Sequence, residues 1–250
     1  MGKVWTGESS PILPLIDNPQ DVELILWDID GTLLMPKGVG RAVTRLAMLE
    51  IFNTDVGLDN HYFGGKTDWR TLLELLPPQG ISEDAIRERM PAYEIAAAQH
   101  MNRLIVDYAV EQCPGAHALV TELHRRGKPL QGLVTGNTSS IAPIKLRAAG
   151  FDPDWFVVGA YGSESPDRNE LPPLAVGRAE KLTGHKIAPE HVLVIGDTPA
   201  DVACARALGA VAVAVKTGYA TNQTELADSK PDYLLTDLTT FWKDVLPIFD

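Results

Sequence analysis

The amino-acid sequence predicts an α/β protein: a doubly wound, Rossmann-like parallel sheet with a small α-helical domain inserted after its first strand. Three observations carry that prediction. Short apolar runs that open into acidic or glycine-bearing turns recur along the chain. Helical patterns that stop at a glycine lie between them. From about Pro36 to Gln112 the alternation gives way to helical patterns alone.

Taken in order, residues 22–27 form the first apolar run and read as a buried strand that opens into a turn. Residues 36–112 then hold helical segments at 41–52, 69–76 and 82–108, with no convincing strand. The alternation resumes with a helix at 116–126, a strand at 130–134, a helix near 140–149 and a strand at 155–158. A helix at 174–182, a strand at 192–195, a helix at 199–208, a strand at 211–215 and a weaker strand at 233–235 complete the chain. Gly127, Gly150, Gly184 and Gly209 supply the helix stops. Strands separated by helices require a parallel sheet covered on both faces. The expected division is a core from 20–35 and 113–250, with a helical cap from 36–112.

Composition narrows the function. The chain has 250 residues, 45% of them hydrophobic and 22% charged, which suits a globular protein with a substantial core. No run of 18 or more apolar residues occurs, and the start, Met1–Gly7, carries no apolar block of signal-peptide type. Two cysteines, Cys113 and Cys204, match no metal-ligand spacing and read as reduced thiols. The expectation is a cytoplasmic protein, a monomer or homodimer, without a membrane partner. A net charge of -11 argues against nucleic acid. It also means that any anionic substrate must be attracted locally, by a bound cation and a few basic side chains.

Asp28-Ile29-Asp30-Gly31-Thr32-Leu33 follows the first strand directly. Alternation along an extended chain places Asp28 and Asp30 on one side, at the carboxyl end of the sheet where open α/β sheets bind ligands. An Asp/Gly turn would explain this motif alone. A second strand, residues 192–196, runs into Asp197, with Asp201 four residues later on a helix opened by Pro199. Capping accounts for one such Asp. It does not account for two strand ends presenting carboxylates to one rim, which together outline an oxygen-rich site suited to Mg²⁺. The run Thr135-Gly136-Asn137-Thr138 also joins a strand end to a helix start. A hydroxyl and exposed backbone N–H groups there can hold a phosphate, while Thr138 and Ser139 also suit a capping turn.

Together these motifs resemble the haloacid dehalogenase-like superfamily of phosphotransferases, over roughly residues 20–35 and 113–236. The resemblance implies that Asp28 attacks phosphorus and forms an aspartyl-phosphate. It implies that Asp30 protonates the leaving oxygen and then activates water, and that Thr135 binds the transferring phosphoryl group beside Gly136 and Asn137. Mg²⁺ would be held by Asp28, the backbone carbonyl of Asp30 and Asp197, with Asp201 nearby. Relatives that cleave carbon–halogen or carbon–phosphorus bonds generally lack the second Asp, so Asp30 favours small-molecule phosphate esters.

The family's third motif is usually a lysine ahead of a proline-bearing helix start. Here Asp167-Arg168-Asn169-Glu170-Leu171-Pro172-Pro173 fills that region. Arg168 is the expected cation because a guanidinium can fork onto phosphate and carboxylate; Arg178 and Lys181 are alternatives. The insert resembles an α-helical C1-type cap. Phe63-Gly64-Gly65-Lys66-Thr67-Asp68 resembles the loop that closes over substrate in phosphoglycolate-phosphatase-like members. Lys66 and Arg70 would add local positive charge, although a solvated basic face fits as well. A phosphomutase of the β-phosphoglucomutase type shares the carboxylates and the cap. The absent lysine leaves a non-catalytic binding protein as a further alternative. Gly65-Lys66-Thr67 is no P-loop, since Asn60 stands where its first Gly is required. Gly38-Val39-Gly40 likewise fails as a dinucleotide fingerprint at Val43. His117, His124 and His185 show no ligand spacing.

Overall fold

The structure, a computed structural model, describes residue 16 and residues 19–218 and 223–247; the Met1–Gly7 start lies outside them. Six parallel strands form the central sheet: β1 (Leu24–Trp27), β2 (Leu130–Thr135), β3 (Val158–Tyr161), β4 (Val192–Gly196), β5 (Val211–Val215) and β6 (Tyr233–Leu235). Their spatial order is β3-β2-β1-β4-β5-β6, the doubly wound arrangement with β1 at its centre. In register, Trp27 of β1 stands between Leu133 of β2 and Ile195 of β4, so the residues that follow share one rim.

Nine helices accompany the sheet among the described residues. Three follow β1: α1 (Val39–Phe52), α2 (Asp68–Leu75) and α3 (Glu83–Leu104). The others are α4 (Ala116–Arg126), α5 (Ala142–Ala148), α6 (Leu171–Thr183), α7 (Pro199–Leu208), α8 (Gln223–Asp228) and α9 (Phe241–Asp244). Alternation along β1 divides the core. Ile25 and Trp27 pack with α4, α5 and Phe241 on one face, while Leu24 and Leu26 pack with α6 and α7 on the other. Burying each such side chain contributes about 1.5–3 kcal/mol. Helices α1, α2 and α3 bury a separate apolar cluster around Met48, Leu72 and Tyr93, joined by Ile141 from the core.

Three expectations shift. The strand expected at 155–158 is β3, three residues later. Asp152 caps a short turn at Pro153–Trp155, and the chain joins the sheet only where Val157 N–H donates to the Gln131 carbonyl. Trp155 instead stacks on His124 of α4, with ring centroids 5.2 Å apart. The helix near 140 starts at Ala142, because Ser139 and Ser140 are occupied with Glu94 of α3. Finally, Leu34–Met35 and Glu111–Gln112 pair as a two-residue antiparallel ladder, so residues 36–112 are not wholly without strand.

Candidate active site

The rim of the sheet brings Asp28, Asp197 and Asp201 together: one carboxylate oxygen from each lies within 4.8 Å of the others, and all three residues are buried. Arg168 reaches into the same group from a short turn at Arg168–Glu170 that Asp167 caps. Its Nη2 donates to Asp28 Oδ1 at 2.8 Å and to Asp201 Oδ1 at 2.6 Å. The remaining oxygen of Asp201 accepts from the N–H and hydroxyl of Thr198, which opens α7. Asp201 thus serves both as the expected helix acid and as an anchor for Arg168. Cys204 Sγ donates to the Arg168 carbonyl and closes the floor from α7.

Charge in this group is unbalanced, with three carboxylates against one guanidinium. Burial, then the neighbouring charges of Asp201 and Asp30, push the Asp28 carboxyl up to about 7 despite Arg168. Burial and the same kind of crowding, chiefly from Asp28 and Asp201, drive Asp197 well above the usual carboxylate range. The donor set is all hard oxygen, which fits a small divalent cation. Gly31, at φ +90°, leaves room for that cluster, since a Cβ there would lie 2.5 Å from Asp197 Oδ2.

A cavity of about 530 Å³ lies over this floor between the sheet rim and the three inserted helices. Asp28, Asp30, Thr135, Gly136, Asn137, Lys66, Arg168 and Asp197 all line it, whereas Asp201 lies beneath. Thr135 Oγ1 accepts from Asn137 Nδ2 at 2.8 Å, so the two side chains hold each other at the strand end. Lys66 faces the cavity but is paired with Glu74 at 2.5 Å, and Arg70 is paired with the same carboxylate. Arg178 bonds Glu164 instead of the rim carboxylates, and Lys181 lies exposed beside it. Of Arg168, Arg178 and Lys181, Arg168 is the one that bonds Asp28 and Asp201.

Three cavity-lining cations, Lys37, Arg41 and Lys145, went unread in the sequence. Lys145 of α5 is 3% exposed, and its Nζ bonds Asp30 Oδ2 at 2.5 Å and Asn137 Oδ1 at 2.6 Å. Its sequence signal was a lysine on the buried side of a short helix, between Ala142 and Leu146. Arg41 of α1 donates to the carbonyls of Leu58 and His61 and lies over the Phe63 ring. It shapes the loop that carries Phe63–Lys66.

That loop is sewn to the core. Asp68 N–H donates to the Gly136 carbonyl, Trp69 N–H to the Gly162 carbonyl, and Thr138 N–H to Asp68 Oδ2. Gly136 is needed for this contact, because any Cβ there would collide with the Lys66 carbonyl. Asp68 is half-buried, and the desolvation of its carboxyl pushes it up to about 6 although the Lys145 ammonium opposes the shift.

The chain is similar to known proteins over most of its length. A family model described as haloacid dehalogenase-like hydrolase matches residues 22–209. A phosphoglycolate phosphatase of Vibrio vulnificus is 27% identical over 237 residues, covering 91% of this chain and 97% of its own. Pyrophosphatase PpaX of Bacillus mycoides is 23% identical over 233 residues, covering 91% and 96%. Among solved structures, a predicted phosphoglycolate phosphatase from Haemophilus somnus superposes with a TM-score of 0.63 at 20% identity, covering 89% of this chain and 97% of its own. CbbY from Rhodobacter sphaeroides, in complex with phosphate, gives 0.62 at 18% identity, covering 88% and 96%. The chain belongs to the haloacid dehalogenase-like hydrolases and is an enzyme of their phosphatase type.

Proposed function

We propose that the chain hydrolyses a small-molecule phosphate monoester by way of an aspartyl-phosphate on Asp28, with Mg²⁺ as its cofactor. The observation that carries this reading is the buried meeting of Asp28, Asp197, Asp201 and Arg168 beneath a cavity that Asp30, Thr135 and Asn137 also line. Asp28 is the nucleophile, which divides one difficult displacement into two easier ones. Arg168 fixes the Asp28 carboxylate and adds positive charge where phosphoryl oxygens gather. Asp30 gives a proton to the leaving oxygen and later takes one from the attacking water, a role worth about 100- to 10,000-fold. Thr135 and Asn137, with the backbone of Gly136, hold the phosphoryl group. Asp28, the Asp30 carbonyl, Asp197 and Asp201 are the groups that would hold Mg²⁺, which when bound neutralises charge on the phosphoryl oxygens.

Residues 36–112 act in this reading as a cap over a core of 20–35 and 113–250, with Lys66 at the cavity wall. A two-carbon or similarly small leaving group of the phosphoglycolate kind suits a cavity of about 530 Å³ and the names of the curated relatives. No described helix is long and apolar enough to cross a membrane, and both cysteines are buried and free; a cytoplasmic setting accords with the thiols. Arg168 also supplies the charge whose apparent absence favoured a non-catalytic binder.

The test is inorganic phosphate release from a panel of phosphate esters, with Mg²⁺ or EDTA, for wild type and Asp28→Asn. Mg²⁺-dependent release that drops at least about 10,000-fold in the variant is expected. Release that survives the substitution removes Asp28 as nucleophile. Transfer of phosphoryl to a sugar hydroxyl in place of sustained phosphate release would replace hydrolysis by a mutase reaction.

A further inference from the structure

Asp28 and Asp30 stand two residues apart, yet their surroundings differ in kind. Asp28 shares one guanidinium with Asp201, while Asp30 has an ammonium of its own. Asp30 Oδ2 receives two donors, Lys145 Nζ at 2.5 Å and Asn137 Nδ2 at 3.0 Å. Lys145 and Asn137 are also bonded to each other, and Asn137 is bonded to Thr135, so the donors form a closed triangle braced on β2. Asp30 Oδ1 has no hydrogen-bond partner among the described residues. One oxygen is therefore clamped and the other is left without a donor, on a residue that lines the cavity.

A buried ammonium is costly to hold, and a lysine on the inner side of a short helix would ordinarily be replaced by an apolar residue. Nothing in the packing of α5 asks for it, since Ala142 and Leu146 already meet the core. Its acceptors are Asp30 and Asn137, both cavity-lining residues, and Asp68 feels its charge from α2. Gly40 of α1 lies close by, where a Cβ would stand 3.7 Å from Nζ, an ordinary contact distance.

We propose that Lys145, acting with Asn137, is a positioning residue for Asp30: it pins Oδ2 and thereby presents Oδ1 as the oxygen that hands a proton to the leaving group. The proposal rests on the reading of Asp30 as general acid and base. It makes Lys145 matter in proportion to how badly the leaving group needs that proton. An alkoxide needs it, whereas a nitrophenolate leaves without it.

The test compares wild type, Lys145→Met and Lys145→Arg on 2-phosphoglycolate and glycerol phosphate against 2,4-dinitrophenyl phosphate, each with Mg²⁺. Lys145→Met is expected to lower kcat on the alkyl esters by about 100-fold and on the dinitrophenyl ester by less than about 5-fold. Lys145→Arg, which retains a donor, should recover part of the alkyl activity. In an Asp30→Ala background, Lys145→Met should cost little more, because a positioning residue has nothing left to position. Equal losses on both ester classes, or a full further loss in the Asp30→Ala background, would mark Lys145 as merely structural and overturn the proposal. A rise in KM confined to 2-phosphoglycolate, with kcat kept, would make it a substrate-binding residue and overturn the proposal equally. If Lys145→Met does not fold, Lys145→Gln carries the same comparison. Asp28→Asn serves as the control that separates the two readings: if it stays active, the nucleophile assignment fails, whatever Lys145 does.

Discussion

The sheet rim and the inserted helices both carry ion pairs, but they place them in opposite environments. At the rim, Arg168 and Asp28 have side chains 8% exposed each. On the insert, Arg45 bridges Asp55 and Asp59 with side chains 34%, 31% and 79% exposed. The same chemistry therefore does different things. A buried pair cannot lose one member without leaving a naked charge in a dry place, whereas a surface pair hands its partner to water. The rim holds its charges in a closed group of mutually bonded side chains; the insert holds charge because its outer face is wet.

The largest effect that would break this contrast lies at Arg168. Arg168→Met leaves Asp28 and Asp201 without their guanidinium and is expected to destabilise the protein by about 3–5 kcal/mol in urea unfolding without divalent cations. A loss below about 1 kcal/mol would mean that the rim tolerates unpaired carboxylates as readily as a surface does.

Asp68, at the seam between the two regions, should give an intermediate effect with a definite pH signature. Its folded-state pKa of about 6 lies above an unfolded value near 3.9. The folded state thus binds the proton more tightly, and the stability this contributes is fully present below about pH 4 and lost as pH rises through 6. Asp68→Asn removes the titration while keeping an acceptor for Thr138 N–H. The variant should gain on wild type by up to about 3 kcal/mol between pH 4 and pH 7. A difference that stays flat with pH would show that the seam is open to solvent.

The smallest effect belongs to the insert surface. Arg45→Ala should shift Tm by no more than about 2 °C and leave phosphate release unchanged, as expected for an exposed pair. A larger shift would place that bridge among the structural ions of the rim.

Legibility followed a similar divide. The rim was readable because its chemistry sits at strand ends, where an apolar run meets an Asp or Thr and periodicity fixes the side. Arg168 was readable from its place ahead of Pro172 and Pro173, although nothing local says that it bonds Asp201. Lys145 was not, because a lysine in a helix usually points to water and its partner Asp30 is 115 residues away. Ser139 looked like a helix cap for the same reason: the Glu94 that claims it is 45 residues distant. Trp155 misplaced a strand, since a large aromatic serves equally well as a lid on a neighbouring helix. In each miss, the deciding contact was long-range.

That long reach has a consequence for how the protein comes into being. Arg168 joins Asp28 across 140 residues, and Asp201 joins Arg168 across 33 more. A growing chain that has exposed β1 already carries Asp28 and Asp30, but Lys145 and Arg168, which brace them, are synthesised 115 and 140 residues later. The inserted helices can form early from neighbouring segments, while the catalytic rim waits for β4 and α7 and pays the slower entropy of closing long loops. Phosphatase activity should thus arrive only once β4 and α7 have been made and docked, leaving no shorter nascent chain able to consume phosphate esters.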